Sequence, residues 1–300
     1  SATEFRVAHL PKADGVGTEL VTGVFADPWP GWVSIHDAAT HAEIAVIAEP
    51  AWMGVLDAPL AEGPLGVVSR EAPLMVRLFN GHVASVGMGG VLAGLNRLAV
   101  QHDDGGWEVI GFAEAELVAP EIYRLSRLLR GLRGTRIGAA DAGSPVLVLD
   151  GRVGALDVPE AVLGGTQALH AYAGPRDGEG VALVVSVDAG PALPLAPVHL
   201  SARRLENGDI ALGWIRRTRL GGDGWSYGEV PLDFAPEAYR VEVRDGEVVV
   251  RGFDVSGPGV TYTLAQQSAD FGGPATAFTF AVMQMSAGLG PGAQAIGDYS

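Results

Sequence analysis

His36-Asp37 and His41-Ala42-Glu43 set two imidazoles and two carboxylates close together in the chain, residue types that can ligate zinc or move protons. Ala38-Ala39-Thr40 between them reads as a turn, and on an extended strand His36 and Asp37 point to opposite faces. A polar hairpin is therefore the favoured account, and no metal site is expected. Arg124, Arg127, Arg130, Arg133 and Arg136 recur at every third position, an island of positive charge in an acidic chain. Guanidinium forks bind oxyanions bidentately, so the island could clamp a phosphate or an acidic glycan. Pairing with carboxylates of this chain or a neighbouring subunit is favoured, which makes the five arginines a candidate interface. Trp29, Trp32, Trp52 and Trp225 could stack on sugar rings, although an indole is more often core or interface.

Gly87-Met88-Gly89-Gly90-Val91-Leu92 imitates the start of a dinucleotide-binding fingerprint, but Leu92 stands where the third glycine belongs and no long helix follows. A glycine-rich turn is expected there. Neither a Gly-x-Ser-x-Gly elbow, a His-Glu-x-x-His pair nor a Walker A loop occurs in the chain. No catalytic residue, cofactor or metal is therefore expected, and the chain is not read as an enzyme.

The body that must position these residues is bounded by composition. Its 300 residues carry a formal net charge of −15, so nucleic acid and anionic membrane surfaces would repel the chain as a whole. Zero cysteines exclude disulfides, thiol nucleophiles and zinc ribbons. Hydrophobic residues make up 48% and charged ones 18%, too apolar for disorder, and no apolar run is long enough for a membrane span. The start at Ser1 without Met reads as a processed end or, the favoured account given strand-like residues 5–10, as a piece of a longer protein.

The 43 glycines and 19 prolines separate short runs rich in Val, Leu and Ile, which is the pattern of many short strands joined by turns. An all-β fold of serial β-sandwich domains is expected. Residues 98–101 and 107–112 flank a His102-Asp103-Asp104-Gly105-Gly106 turn, and residues 146–149 reach Asp150-Gly151 as a second hairpin candidate. Only residues 120–132 and 159–163 read as helices. Three prolines in residues 191–197 predict a linker between a β-rich region of residues 1–190, with room for two subdomains, and a β-sandwich of residues 198–300. In that sandwich Trp214 and the run from Phe278 to Met285, with Gly288-Leu289-Gly290-Pro291 behind it, resemble the fibronectin type III pattern. Phe278 stands where that family's tyrosine corner has Tyr.

Gly106-Trp107-Glu108-Val109-Ile110-Gly111-Phe112-Ala113-Glu114 leading into Leu128-Leu129-Arg130-Gly131-Leu132-Arg133-Gly134-Thr135 resembles the C-terminal part of the baseplate hub (megatron) protein of gene transfer agents and related tailed phages. Gly213-Trp214-Ile215-Arg216-Arg217-Thr218-Arg219 and Gly222-Asp223-Gly224-Trp225-Ser226 agree with it. The resemblance implies a virion structural component at the tail tip of a phage-like particle, assembled in the cytoplasm, acting in host attachment and DNA delivery. It implies a homotrimer that contacts other baseplate and tail subunits; a cell-surface glycan is a separate candidate partner, on the four tryptophans. The hydrolase-like barrel of the family's longer proteins has no counterpart here. A carbohydrate-binding module is the alternative, resting on the four tryptophans.

Overall fold

The computed structural model describes residues 3–14, 17–64, 66–69, 72–220 and 231–300. It is built almost wholly of antiparallel strands, as expected, and divides into two compact units that meet in sequence between Pro191 and Ala192.

The first unit contains a sandwich. One sheet pairs Thr3–Pro11 with Thr18–Ala26, and this with Gly154–Asp157; the other runs Val181–Val187, Gly165–Tyr172, Val33–Asp37, Glu43–Ile47. Phe5, Val7, Leu20 and Val24 from the first sheet close on Val33, Ile35, Leu169, Ala171 and Val185 from the second. Side chains alternate along a strand, so Ala8, Leu10 and Val21 leave this core on the opposite face. There they meet Ala51, Met53, Ala99, Val109 and Leu147 in a further apolar cluster. The three-stranded sheet is thus buried on both faces, and Gly23 lies at its centre where a Cβ would fall 2.4 Å from Leu147 Cδ1.

The second body of this unit is a barrel. Ile122–Leu132, Leu74–Leu78, Met53–Leu56, Pro145–Val148, Arg97–Gln101 and Trp107–Ala119 are hydrogen-bonded in that order, and Trp107–Ala119 pairs back to Ile122–Leu132. Closure leaves few free edges. The interior is filled by Leu74, Val76, Leu98, Val100, Ile110, Phe112, Leu125, Leu128 and Val146, so it is a packed core and not a pore. Gly54 allows the closest strand approach: a Cβ there would sit 1.9 Å from the carbonyl oxygen of Arg77. Because the chain enters the barrel after Glu43–Ile47 and leaves it before Gly154–Asp157, the barrel is an insertion in the sandwich.

Three local expectations are corrected. Residues 122–132 are a strand and not a helix, because the Arg/Leu pattern that mimics helical spacing is broken by a positive φ of 54° at Arg127. Before it Tyr123 and Leu125 are buried; after it Leu128 and Arg130 are, so the change of phase imitates a period near three. Residues 146–149 and 153 do not form a hairpin, since Pro145–Val148 belongs to the barrel and Gly154–Asp157 pairs with Thr18–Ala26. Residues 159–163 hold only a short 3₁₀ turn, Glu160–Val162.

The second unit is a sandwich of three strands, Val198–Arg204, Ile210–Ile215, Gly259–Tyr262, against four, Val248–Val255, Tyr239–Asp245, Phe278–Ser286, Gly290–Tyr299. This is the fibronectin type III-like arrangement expected for the last domain. Trp214 meets Tyr239 edge-on at 5.2 Å, and Phe278 stacks on Tyr299 at 5.1 Å and meets Tyr262 at 5.7 Å. Phe278 thus fills the core with an apolar ring. A helix that the sequence reading missed, Leu264–Phe271, starts in a capping box of Thr263 and Gln266 and ends at Gly272 with φ 77°. Within the stretch 191–197, Leu195 is buried and the Pro194 carbonyl accepts from the Ala293 amide at 3.0 Å.

Candidate functional site

Every arginine of the island has a carboxylate partner in its own chain. Arg124 pairs with Glu116, and Arg136 with Asp104; Arg127 Nη1 lies 3.7 Å from Glu114 Oε1, and Arg133 Nη1 lies 3.0 Å from Glu19 Oε1. Arg124 and Arg127 sit on the outer face of the long hairpin formed by Trp107–Ala119 and Ile122–Leu132. At the tip of the hairpin Leu117 and Val118 are 57% and 45% exposed; Leu117 stands opposite Tyr123 in register, on the face away from Arg124 and Glu116. The hairpin therefore carries a neutralised ladder of charge on its outer face and exposed apolar side chains at its tip. Ser126 extends the ladder by donating to Glu114 at 2.7 Å.

Arg130 differs from the other four. On the inward-facing side of its strand, it enters the end of the barrel and donates to Glu108 from Nε at 2.6 Å and from Nη2 at 2.7 Å. Glu108 also accepts from the Gly131 amide at 3.0 Å, and His102 Nε2 lies 3.0 Å from its second oxygen. The remaining guanidinium donors reach the carbonyls of Ala61 and Gly138, both at 3.0 Å. Burial pushes the Glu108 carboxyl up, and the hydrogen bonds from Arg130 and His102 more than offset it, so it stays below the ordinary range. At the other end of the same strand His82 Nδ1 lies 3.0 Å from the Tyr123 hydroxyl. Arg130 and Glu108 thus close one end of the packed interior, and at the other the Tyr123 hydroxyl reaches His82 at the exposed surface. Sequence spacing singled out Arg130 but not Glu108 or His102, because those partners lie across strands.

The histidine-rich turn is an ordered hairpin. His36 Nδ1 lies 3.1 Å from the His41 carbonyl and Nε2 3.1 Å from Ser34 Oγ. Asp37 accepts from the Thr40 amide at 2.8 Å, the leading reason its carboxyl sits below the usual range. His36 meets Tyr172 edge-on at 5.2 Å, and His170 stacks on the same ring at 4.7 Å, a cluster that pairs across strands and so is invisible to local spacing. Among the described residues no group of three His, Cys, Asp or Glu is placed to hold a metal ion. The Gly87-Met88-Gly89-Gly90 stretch, expected as a glycine-rich turn, instead opens a five-residue helix, Met88–Leu92.

The tryptophans are not brought together. Trp29 packs on the sandwich core with its Nε1 donating to the Ala48 carbonyl at 3.3 Å. Trp32 is 39% exposed. Trp52 packs against the barrel core, with Gly81 against its ring and the Arg152 guanidinium 4.1 Å from its centroid. Trp225 lies outside the described residues. Among those described, no ring contact joins one of these tryptophans to another. No helix of the described residues is long and apolar enough to cross a membrane.

Comparisons with known proteins give one family match and weak likenesses to solved structures, two of which follow. No curated protein matches the chain. A crystal structure of chicken CNTN1 FN1–FN3 domains aligns with 98% of this chain and 96% of its own at 10% identity, with a TM-score of 0.26. A cytokine receptor complex aligns with 79% of this chain and 96% of its own at 13% identity, with a TM-score of 0.27. At such scores neither bears on the fold, which rests on the chain's own strand pairing. Residues 51–147 match the family described as Rcc01698-like, C-terminal, and this span runs from just before the first strand of the closed barrel into its last.

Proposed function

We propose that this chain is a structural component of a phage-like tail baseplate, placed at the tail tip and acting in attachment to the cell and delivery of DNA. The observation that carries the reading is the match of residues 51–147 to the Rcc01698-like C-terminal family, a name associated with gene transfer agents. The residues of the hub resemblance at 106–114 and 128–135 fall inside the same span. Packed antiparallel bodies suit such a role, since they present fixed surfaces without a reaction to perform. The hairpin's outer face with Arg124 and Arg127, together with its exposed tip at Leu117 and Val118, is the surface we assign to contact with other baseplate subunits or further copies of the chain. On this reading any route for DNA runs outside the barrel, whose interior is filled by side chains.

Mass spectrometry and immunoblotting of gradient-purified tailed particles test the reading. Co-migration of the chain with tail proteins at fixed stoichiometry is expected. Its recovery only in the soluble fraction of a lysate that contains intact tails contradicts it.

A further inference from the structure

The sandwich of the first unit has a seam without a hydrogen-bonded ladder. Thr3–Pro11 is the edge of one sheet and Val181–Val187 the edge of the other; the two strands lie side by side, yet among the described residues no backbone pairing joins them. His9 lies on the Thr3–Pro11 edge, opposite Leu20 in register and on the same alternation as Phe5 and Val7, whose side chains fill the core between the sheets. Its side chain is 5% exposed, and neither ring nitrogen has a hydrogen-bond partner. A neutral imidazole tolerates such a place at the cost of unmade hydrogen bonds, whereas an imidazolium there has no acceptor for either proton.

The charged groups around it are few. Asp188, directly after the second edge strand, is the carboxylate that favours the imidazolium, and it already accepts from the Gly190 amide at 2.7 Å. Glu19, opposite Leu10, is engaged by Arg133, and Lys12 by Asp157 at 2.8 Å. The strand Val181–Val187 carries no titratable side chain.

We propose that this seam is an acid-released latch and that His9 is its trigger: protonation of the imidazole from solvent favours the opened seam, in which the ring reaches water. The direction agrees with the balance at His9, where burial holds the imidazole below its ordinary value against the pull of Asp188. The unfolded or opened form then binds the proton first, and closure weakens as pH falls below about 6.5.

Hydrogen exchange of the full chain, corrected for the intrinsic pH dependence of exchange, tests the latch. Peptides covering residues 3–11 and 181–187 are expected to lose about tenfold in protection between pH 7.5 and 5.5, while peptides from the barrel strand Trp107–Ala119 do not. His9→Leu removes that acid step. A wild-type chain with no step, or a step that persists in His9→Leu, overturns the proposal. Should His9→Leu fail to fold, Asp188→Asn serves: removing the carboxylate that favours the imidazolium enlarges the acid step, and an unchanged or smaller step overturns the latch.

Discussion

Arg130 grips Glu108 through two parallel hydrogen bonds, Nε to Oε1 at 2.6 Å and Nη2 to Oε2 at 2.7 Å, with both side chains almost fully enclosed at one end of the barrel. Its four sister arginines make their pairs nearer to solvent. This contrast orders the consequences of mutation.

Arg130→Ala leaves the Glu108 carboxylate buried and without its main partner, and is expected to cost about 3–5 kcal/mol in urea denaturation. Arg124→Ala removes an exposed pair and is expected to cost about 0–1 kcal/mol. Equal costs for the two would contradict the placement of Arg130 inside the barrel.

The acid limb of stability carries a signature of Glu108. Its carboxyl lies below the ordinary range when folded, so the unfolded chain takes up the proton first. The contribution is complete above about pH 4.3 and disappears as pH falls through the folded value. Glu108→Gln is therefore less stable than wild type at pH 7, and the gap narrows as pH falls toward 3. A gap independent of pH means that the charge of Glu108 contributes nothing.

Gly54→Ala drives a methyl group into the Arg77 carbonyl and is expected to lose about 3 kcal/mol, the upper end of overpacking. Gly87→Ala, with nothing within 4 Å of the added Cβ and an ordinary φ of −63°, is expected to stay within about 0.5 kcal/mol of wild type. Thermal denaturation of the two variants distinguishes a register that depends on close strand approach from one that does not.

Replacing Arg124 and Arg127 by alanine, together with Leu117→Asp, is expected to leave the purified chain folded by circular dichroism but to lower the yield of assembled tailed particles at least tenfold. Normal particle yield and infectivity would remove the hairpin face from the assembly interface.

The sequence made the all-β class visible because glycine and proline punctuate short β-branched runs, and it made the Asp103-Asp104-Gly105-Gly106 turn visible through the positive φ of Gly105. Closure of the barrel was not legible, since the pairing of Leu128 with Phe112 and of Tyr123 with Val76 is set by tertiary register. The same limit hid Glu108 and His102 behind Arg130, whose place in the every-third-position series with Arg127 and Arg133 gives no sign that it alone turns into the barrel. Arg127, with its positive φ, is the residue that turned a strand into an apparent helix.

Immunogold electron microscopy of tailed particles, with antibody raised against this chain, tests the central claim most directly. Label confined to the distal tail tip is the predicted result. Intact tails that remain unlabelled, with the antigen free in the lysate, would contradict a baseplate role.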